Sequence, residues 1–370
     1  MLTFGSETPS AEPMPDFMLV DQPDALCAQL LEHDRIGVDT EFMREKTFFA
    51  ELALLQIATR DRIFCVDPLS GSDMATFWKT VTDRTWVLHS ARQDLEVVYQ
   101  TAARMPASIF DTQIAAALLG FAPQIGYANL VKELFGIELA KSHTRADWSR
   151  RPLTDALLHY AAEDVEFLLP AYAALAEALD KKGRLSWAEE DSAELLDTSL
   201  YETDPQSAVM RLKGAKNLRG PKRSAAARLA AWRETEALRA NRPRQWIARD
   251  AVLIELASQL PDTLDALQRI EGLPPGLIRR SGNTLLDEIA SSRADNGSYR
   301  PPAAPNEAQK SLLKRMQKLT TECAADLGVA AETLAAKKDL ARVVMNGDDS
   351  SRLLSGWRRR VIGEELLKLV

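Results

Sequence analysis

Two carboxylates stand two residues apart inside an otherwise apolar run, Ile36-Gly37-Val38-Asp39-Thr40-Glu41-Phe42, and few folds can accept that pattern. Residues 35–42 read as a strand, where side chains alternate, so Asp39 and Glu41 leave the same face. Neighbouring acids repel, and burying an uncompensated charge is costly. That face must meet either water or a cation. Two further segments place acids in apolar settings: Asp94 in HSARQDLEVV, and Tyr160 with Asp164 in HYAAEDVEFLL. The i, i+4 spacing of the last pair stacks Tyr160 and Asp164 one turn apart on a helix. Oxygen ligands without His or Cys suit Mg2+ or Mn2+ rather than Zn2+. Taken singly, each signal also fits a solvated strand face, an acid favoured by a helix dipole, or a helix-surface pair. The ordered set is what points to metal chemistry.

The surrounding pattern suggests the fold. Strand-like runs at 35–42, 52–58 and 63–66 lie close enough for an antiparallel meander, and buried-looking strands follow at 85–89 and around 109–110. Strands first, then alternation with helices, imply one mixed α/β layered domain. Residues 154–180 read as a helix, bent near Pro170. From about residue 208 only helical patterns appear: 225–240, 248–259 and 263–269 are divided by Arg242-Pro243 and Pro261, and a last set ends with 356–370. Residues 291–305 contain Asn-Gly and Pro-Pro and read as a linker. The expected organisation is a disordered lead-in over 1–15, an α/β domain over 16–206, a helical domain over 207–290, the linker, and a second helical domain over 306–370.

Charge divides along the same line. The chain carries a net charge of −7, but residues 1–206 hold 17 Lys/Arg against 34 Asp/Glu, and residues 207–370 hold 29 against 19. Residues 207–249 alone carry 12 basic and 2 acidic residues, the whole of the C-terminal excess. An acidic, cation-binding half beside a basic half suits a phosphate-rich ligand, although a basic linker next to a solvated helix face has the same composition. No apolar run reaches the roughly 20 residues needed to span a bilayer, and the start, MLTFGSETPSAEPMP, lacks the pattern of a signal peptide. Three cysteines without metal-ligand spacing are expected as reduced thiols in a cytoplasmic protein; a monomer without a membrane partner is the separate expectation.

Two divalent ions about 3.5–4 Å apart can stabilise both the attacking and the leaving oxygen of an in-line phosphoryl displacement. On that template Asp39 is the bridge, Glu41 and Asp164 complete one ion's shell, and Asp94 serves the other. Tyr160, with an ordinary pKa of about 10, is a positioner of the attacking water rather than a base at neutral pH.

Asp39-x-Glu41, then Asp94, then Tyr160-x-x-x-Asp164 resembles the three motifs of the DEDD exonuclease superfamily in its tyrosine-bearing branch. The flanks VDTEFMRE, ELALLQIA, FCVDPL, ARQDLEVV, FDTQIAA, KSHTRADWSRRPL and HYAAEDVEFLLP are together similar to the bacterial ribonuclease D family. The resemblance runs almost continuously from Arg35 to Tyr172. It implies an RNase H-like α/β domain with a mixed sheet, acting as a metal-dependent 3′→5′ exoribonuclease. It also implies release of nucleoside 5′-monophosphates, RNA with a single-stranded 3′ end as substrate, and trimming of tRNA precursors. The run from Leu229 through Trp232-Arg233-Glu234, Pro243, Trp246-Ile247 and Asp250 to Leu267 is similar to the helical HRDC domain. The later part of 306–370 resembles a second HRDC domain. Such domains are expected to contact nucleic acid or to buttress the catalytic domain.

His159-x-Ala161-x-x-Asp164 also fits the histidine-bearing branch of the superfamily. On an unbroken helix, however, His159 lies about 140° around the axis from Asp164 and Tyr160 only about 40°. Tyr160 is therefore the expected water-positioning residue, with His159 as the alternative. Gln56, Lys141, Arg145 and Trp148 are candidates for holding substrate, through phosphate contacts or base stacking. A core-edge amide for Gln56, a packed ring for Trp148 and an Arg145–Asp147 pair are the structural counterparts. His89 is expected to be structural. Two rival functions fit the same motifs: a DNA-directed 3′→5′ exonuclease, and an RNA-binding module on an inactive exonuclease fold.

Overall fold

A computed structural model of the chain describes residues 17–139, 146–295, 299, 303–346 and 351–370. The lead-in expected over 1–15, and the candidates Lys141 and Arg145, lie outside the described residues. The described residues form two compact units, those of 17–43, 51–201 and 305–370 in the first, and those of 44–50 and 202–304 in the second.

The first unit is built on a six-stranded mixed sheet. Its strands are β1 (Phe17–Val20), β2 (Arg35–Met43), β3 (Glu51–Ala58), β4 (Ile63–Val66), β5 (Thr85–Leu88) and β6 (Ser108–Asp111), in the order β1-β4-β3-β2-β5-β6. The expected meander is β2–β3–β4, antiparallel throughout. β5 and β6 extend it in parallel beyond β2, while β1, absent from the sequence reading, pairs parallel with β4. Seven of the eight residues of β3 are buried, which is why ELALLQIA reads as a nearly continuous apolar run rather than an alternating one. The helix Arg92–Ala102 packs against β2 and β3, and Asp155–Glu166 packs against β2, β3 and β4.

The long helix expected over 154–180 is two helices, Asp155–Glu166 and Leu168–Lys181. Proline cannot donate to the carbonyl four residues earlier, and its ring crowds that carbonyl. For Pro170 that residue is Glu166, so the interruption falls at Phe167, ahead of the proline. The Tyr127 hydroxyl accepts a bond from the Phe167 amide at 2.9 Å and satisfies the break.

Residues 305–370 share a core with the sheet-bearing domain: Leu118, Leu175 and Ala188 cluster with Met316, Leu353 and Trp357. Trp357 stacks on Trp187 with ring centroids 4.3 Å apart and an interplanar angle of 3°. Arg358 forks onto the buried Asp191, Nη2 reaching Oδ2 at 2.7 Å, and Trp357 Nε1 donates to Asp191 Oδ1 at 2.9 Å. The continuous helix expected over 356–370 is instead Gly356–Arg358, a π-helical turn Arg359–Gly363, and Glu364–Leu367.

The second unit is helical, with Pro221–Ala240, Asp250–Gln259, Leu264–Gln268 and Pro275–Ser292 around a core that includes Leu229, Leu253, Leu256 and Leu285. Two charges of Trp232-Arg233-Glu234 are buried and paired. Arg233 donates to Asp250 at 2.6 Å and to the Ala248 carbonyl at 3.0 Å, while Glu234 accepts from Arg244 at 2.6 Å. Residues 44–50 belong to this unit. The amides of Phe48 and Phe49 donate to Asn241 Oδ1 at 3.0 and 3.1 Å, and the Arg244 guanidinium lies 4.3 Å from the Phe48 ring centroid.

Candidate active site

β2 delivers its two acids from the middle of the sheet. Asp39 pairs across to Gln56 of β3 and Glu41 to Leu54, and the register shifts immediately afterwards, between Glu41 and Phe42. Opposite them stands the helix Asp155–Glu166, whose N-cap Thr154 accepts from the Leu157 amide at 3.4 Å. The helical turn brings Asp164 to the β2 acids. Carboxylate oxygens of Asp39, Glu41 and Asp164 lie within 4.8 Å of one another, three ligands offered from one strand and one helix.

Asp94 arrives differently. It is buried in the first turn of Arg92–Ala102 and accepts from Thr40 Oγ1 at 2.6 Å. Thr40 alternates with Asp39 and Glu41, so its side chain leaves the strand on the other face. The buried Asp111 at the end of β6 fixes the start of this helix by accepting from the amides of Ser90 and Ala91 at 3.1 and 2.8 Å. The same carboxylate caps the helix that follows it, accepting from the Gln113 amide at 2.8 Å. Thr40 and Asp111 were not picked out from the sequence. The signals available were the alternation of β2 and an Asp-Thr-Gln cap at a strand end.

The electrostatics of the set follow from crowding. Asp39 is raised well above the ordinary carboxylate range, first by burial and then by the charges of Asp94, Asp164 and Glu41. Glu41 is pushed up to about 8 by burial, with Asp164 and Asp94 adding to it. Asp94 and Asp164 each rise to about 7, burial again leading, against the opposing hydrogen bonds from Thr40 and Tyr160. Among the described residues, the charges acting on these acids are chiefly one another's, with no cation among them. A hard divalent cation supplies compensating charge, and an all-oxygen donor set is the kind such ions take. The residues present therefore fit Mg2+ or Mn2+.

Tyr160 and His159 separate as the helix angles require. The Tyr160 hydroxyl is hydrogen-bonded to Asp164, and burial, with Asp164 and Glu41 nearby, raises its pKa further. The exposed His159 turns away and meets Phe17 edge-on, ring centroids 4.8 Å apart. His89 is structural: Nε2 donates to the Ile125 carbonyl and Nδ1 bonds Thr112 Oγ1, each at 2.9 Å.

Two of the substrate-holding candidates are corrected by their burial. Trp148 is 4% exposed, its ring 6.1 Å from that of Tyr160, so it packs behind the tyrosine rather than offering a free face to a base. Arg151 fastens this segment, donating to the carbonyls of Trp148 and Ala53 at 2.7 Å and to both Asp67 oxygens at 2.6 Å. Gln56 is fully buried and touches no solvent.

Comparison with known proteins bears on the family and the fold. Residues 20–180 match the family described as 3′-5′ exonuclease, and residues 223–289 match the HRDC domain. The chain is 36% identical to ribonuclease D of Gluconacetobacter diazotrophicus, covering 96% of this chain and 93% of that protein. It is 38% identical to ribonuclease D of Acidiphilium cryptum, covering 97% and 95%. Among solved structures, Escherichia coli RNase D, described as an exoribonuclease involved in structured RNA processing, superposes with a TM-score of 0.85. Its identity is 28%, with 96% of this chain and 98% of that one covered.

Proposed function

The chain belongs to the ribonuclease D family of exoribonucleases, and from that premise we propose that its acidic cluster removes nucleotides one at a time from RNA 3′ ends. The observation that carries this reading is the convergence of Asp39, Glu41 and Asp164 within 4.8 Å, with the Tyr160 hydroxyl bonded to Asp164. Two divalent ions, Mg2+ or Mn2+, fit this cluster together with Asp94, and when bound they supply charge neutralisation at the scissile phosphate and the leaving 3′ oxygen.

The chain's own residues do the rest. Asp39, Glu41 and Asp164, with Asp94 beside them, would hold the ions. Tyr160 stays protonated at neutral pH, because its pKa is raised, and orients the attacking water through its hydroxyl. In-line attack on the terminal phosphodiester then releases a nucleoside 5′-monophosphate and leaves a free 3′ hydroxyl on the shortened RNA. A terminal nucleotide must leave its stack to reach acids set between a strand and a helix, so single-stranded 3′ ends are preferred.

The helical unit supplies a second contact. Trp246 is 61% exposed, and Arg242 and Arg249 are exposed close to it in sequence. Cations with an aromatic face suit the phosphates and bases of structured RNA, and tRNA precursors with short 3′ tails are the substrates we propose. The enzyme acts as a cytoplasmic monomer, a reading that the free thiols Cys27, Cys65 and Cys323 favour for the compartment.

Product analysis on matched single-stranded RNA and DNA oligomers tests the proposal. RNA should yield nucleoside 5′-monophosphates faster than DNA does. Release of 3′-monophosphates, or cuts within the chain, would contradict the chemistry. Equal or faster turnover of DNA would favour the DNA-directed alternative.

A further inference from the structure

Gln56 is the least satisfied polar side chain of the catalytic sheet. It is 0% exposed, and among the described residues neither Oε1 nor Nε2 has a hydrogen-bond partner. A carboxamide carries two donor hydrogens and an acceptor oxygen. Each buried group left unpaired costs on the order of 1–3 kcal/mol. An apolar side chain of the same size at this position would carry no such cost.

Its place in the sheet says what the amide faces. Gln56 pairs directly with Asp39 of β2 on one side and with Cys65 of β4 on the other. Directly opposed residues of antiparallel strands project from the same face, with Cβ atoms about 4.5–5.5 Å apart. The Gln56 amide thus shares a face with Asp39 and, one pair further along, with Glu41. On its other flank, Cys65 is fully buried and makes no bond to the amide. Among the residues paired with Gln56, Asp39 alone carries oxygens that can accept its donors.

We infer that Gln56 is a positioning residue for the metal site. With divalent ions held by the cluster, its Nε2–H would donate to an Asp39 carboxylate oxygen and fix the rotamer of that carboxylate. The amide is an uncharged donor inside the sheet, so it orients Asp39 without competing with the ions for charge, as a lysine would. Carboxylate ligands are commonly held this way, and removing such a partner lowers metal affinity by about 10–100-fold. The full burial of Gln56 separates this role from direct contact with RNA.

This inference rests on the metal-site reading, and the test separates the two. Mn2+ is titrated calorimetrically into the full-length, RNA-free protein as wild type and as Gln56→Met, which keeps an unbranched side chain of similar size. Gln56→Leu is run in parallel in case the methionine variant fails to fold. The expected result is Mn2+ binding weakened about 10–100-fold, with a metal-free melting temperature equal to or above wild type because an unsatisfied amide has been removed. Wild-type Mn2+ affinity in a folded variant would overturn the positioning role and leave the metal site standing. No Mn2+ binding by the wild type would overturn both.

Discussion

Glu41→Gln should stabilise the metal-free protein, and by an amount that grows with pH. The Glu41 carboxyl is pushed up from 4.5 to about 8, first by burial and then by Asp164 and Asp94. A folded-state pKa above the unfolded one means the native state binds more protons between those values, so stability falls as pH rises. Below about pH 4.5 the group is protonated in both states and the penalty is absent; by pH 8 most of it is present. At about 1.4 kcal/mol per pKa unit, the ceiling is about 5 kcal/mol. Glu41 keeps partial solvent contact, and screening reduces this to roughly 2–4 kcal/mol. The assay is denaturant unfolding in chelator at pH 5 and pH 8, following the transition that Mg2+ shifts in the wild type. The variant should nearly match the wild type at pH 5 and exceed it by about 2–4 kcal/mol at pH 8, while losing the response to Mg2+. A variant no more stable than wild type at pH 8 would refute the account of a self-repelling cluster.

Other consequences are independent of that one. Tyr160→Phe should lower kcat on RNA by about 100-fold, the scale expected for a misplaced reactant, whereas His159→Ala should stay near wild type; the reverse order would exchange their roles. Gly356 has φ +52°, and a Cβ there would displace the Glu190 carboxylate that accepts from the Trp357 amide, so Gly356→Ala should cost the ~1–2 kcal/mol of left-handed strain and loosen that bond. Urea unfolding checks this against Gly71→Ala, where φ is +83° but no described residue would crowd the added Cβ. Trp246→Ala should weaken binding of tailed tRNA by about 10-fold or more, read by fluorescence anisotropy, while cleavage of a short oligomer is unchanged.

What could be read from the sequence followed the strength of local patterning. β2–β4 were legible because ELALLQIA and IFCV are dense apolar runs in a short span. β1 was not, since two of its four residues are exposed and its partner β4 lies more than 40 residues later. The convergence of Asp39, Glu41 and Asp164 was legible because strand and helix periods, read with the ordered motifs, decide which way they point. The burial of Trp148 and Gln56 was not, because it depends on tertiary neighbours: Tyr160 and the Arg151 clamp for one, the pairing with β2 and β4 for the other. Nor was the shared core of 305–370, which hinges on Asp191 meeting Arg358, charges 167 positions apart. That core has a practical consequence. Deleting 208–370 to probe the helical domains would also strip Met316, Leu353 and Trp357 from the catalytic unit, so substitutions at Trp246 are the cleaner probe.

The most direct test follows a 5′-labelled tRNA precursor with a short 3′ tail, incubated with Mg2+ or Mn2+ beside the Asp39→Ala variant. The account predicts a ladder shrinking from the 3′ end, abolished by chelator and absent in the variant. No shortening by folded wild-type protein with either ion, or shortening that survives Asp39→Ala, would contradict it.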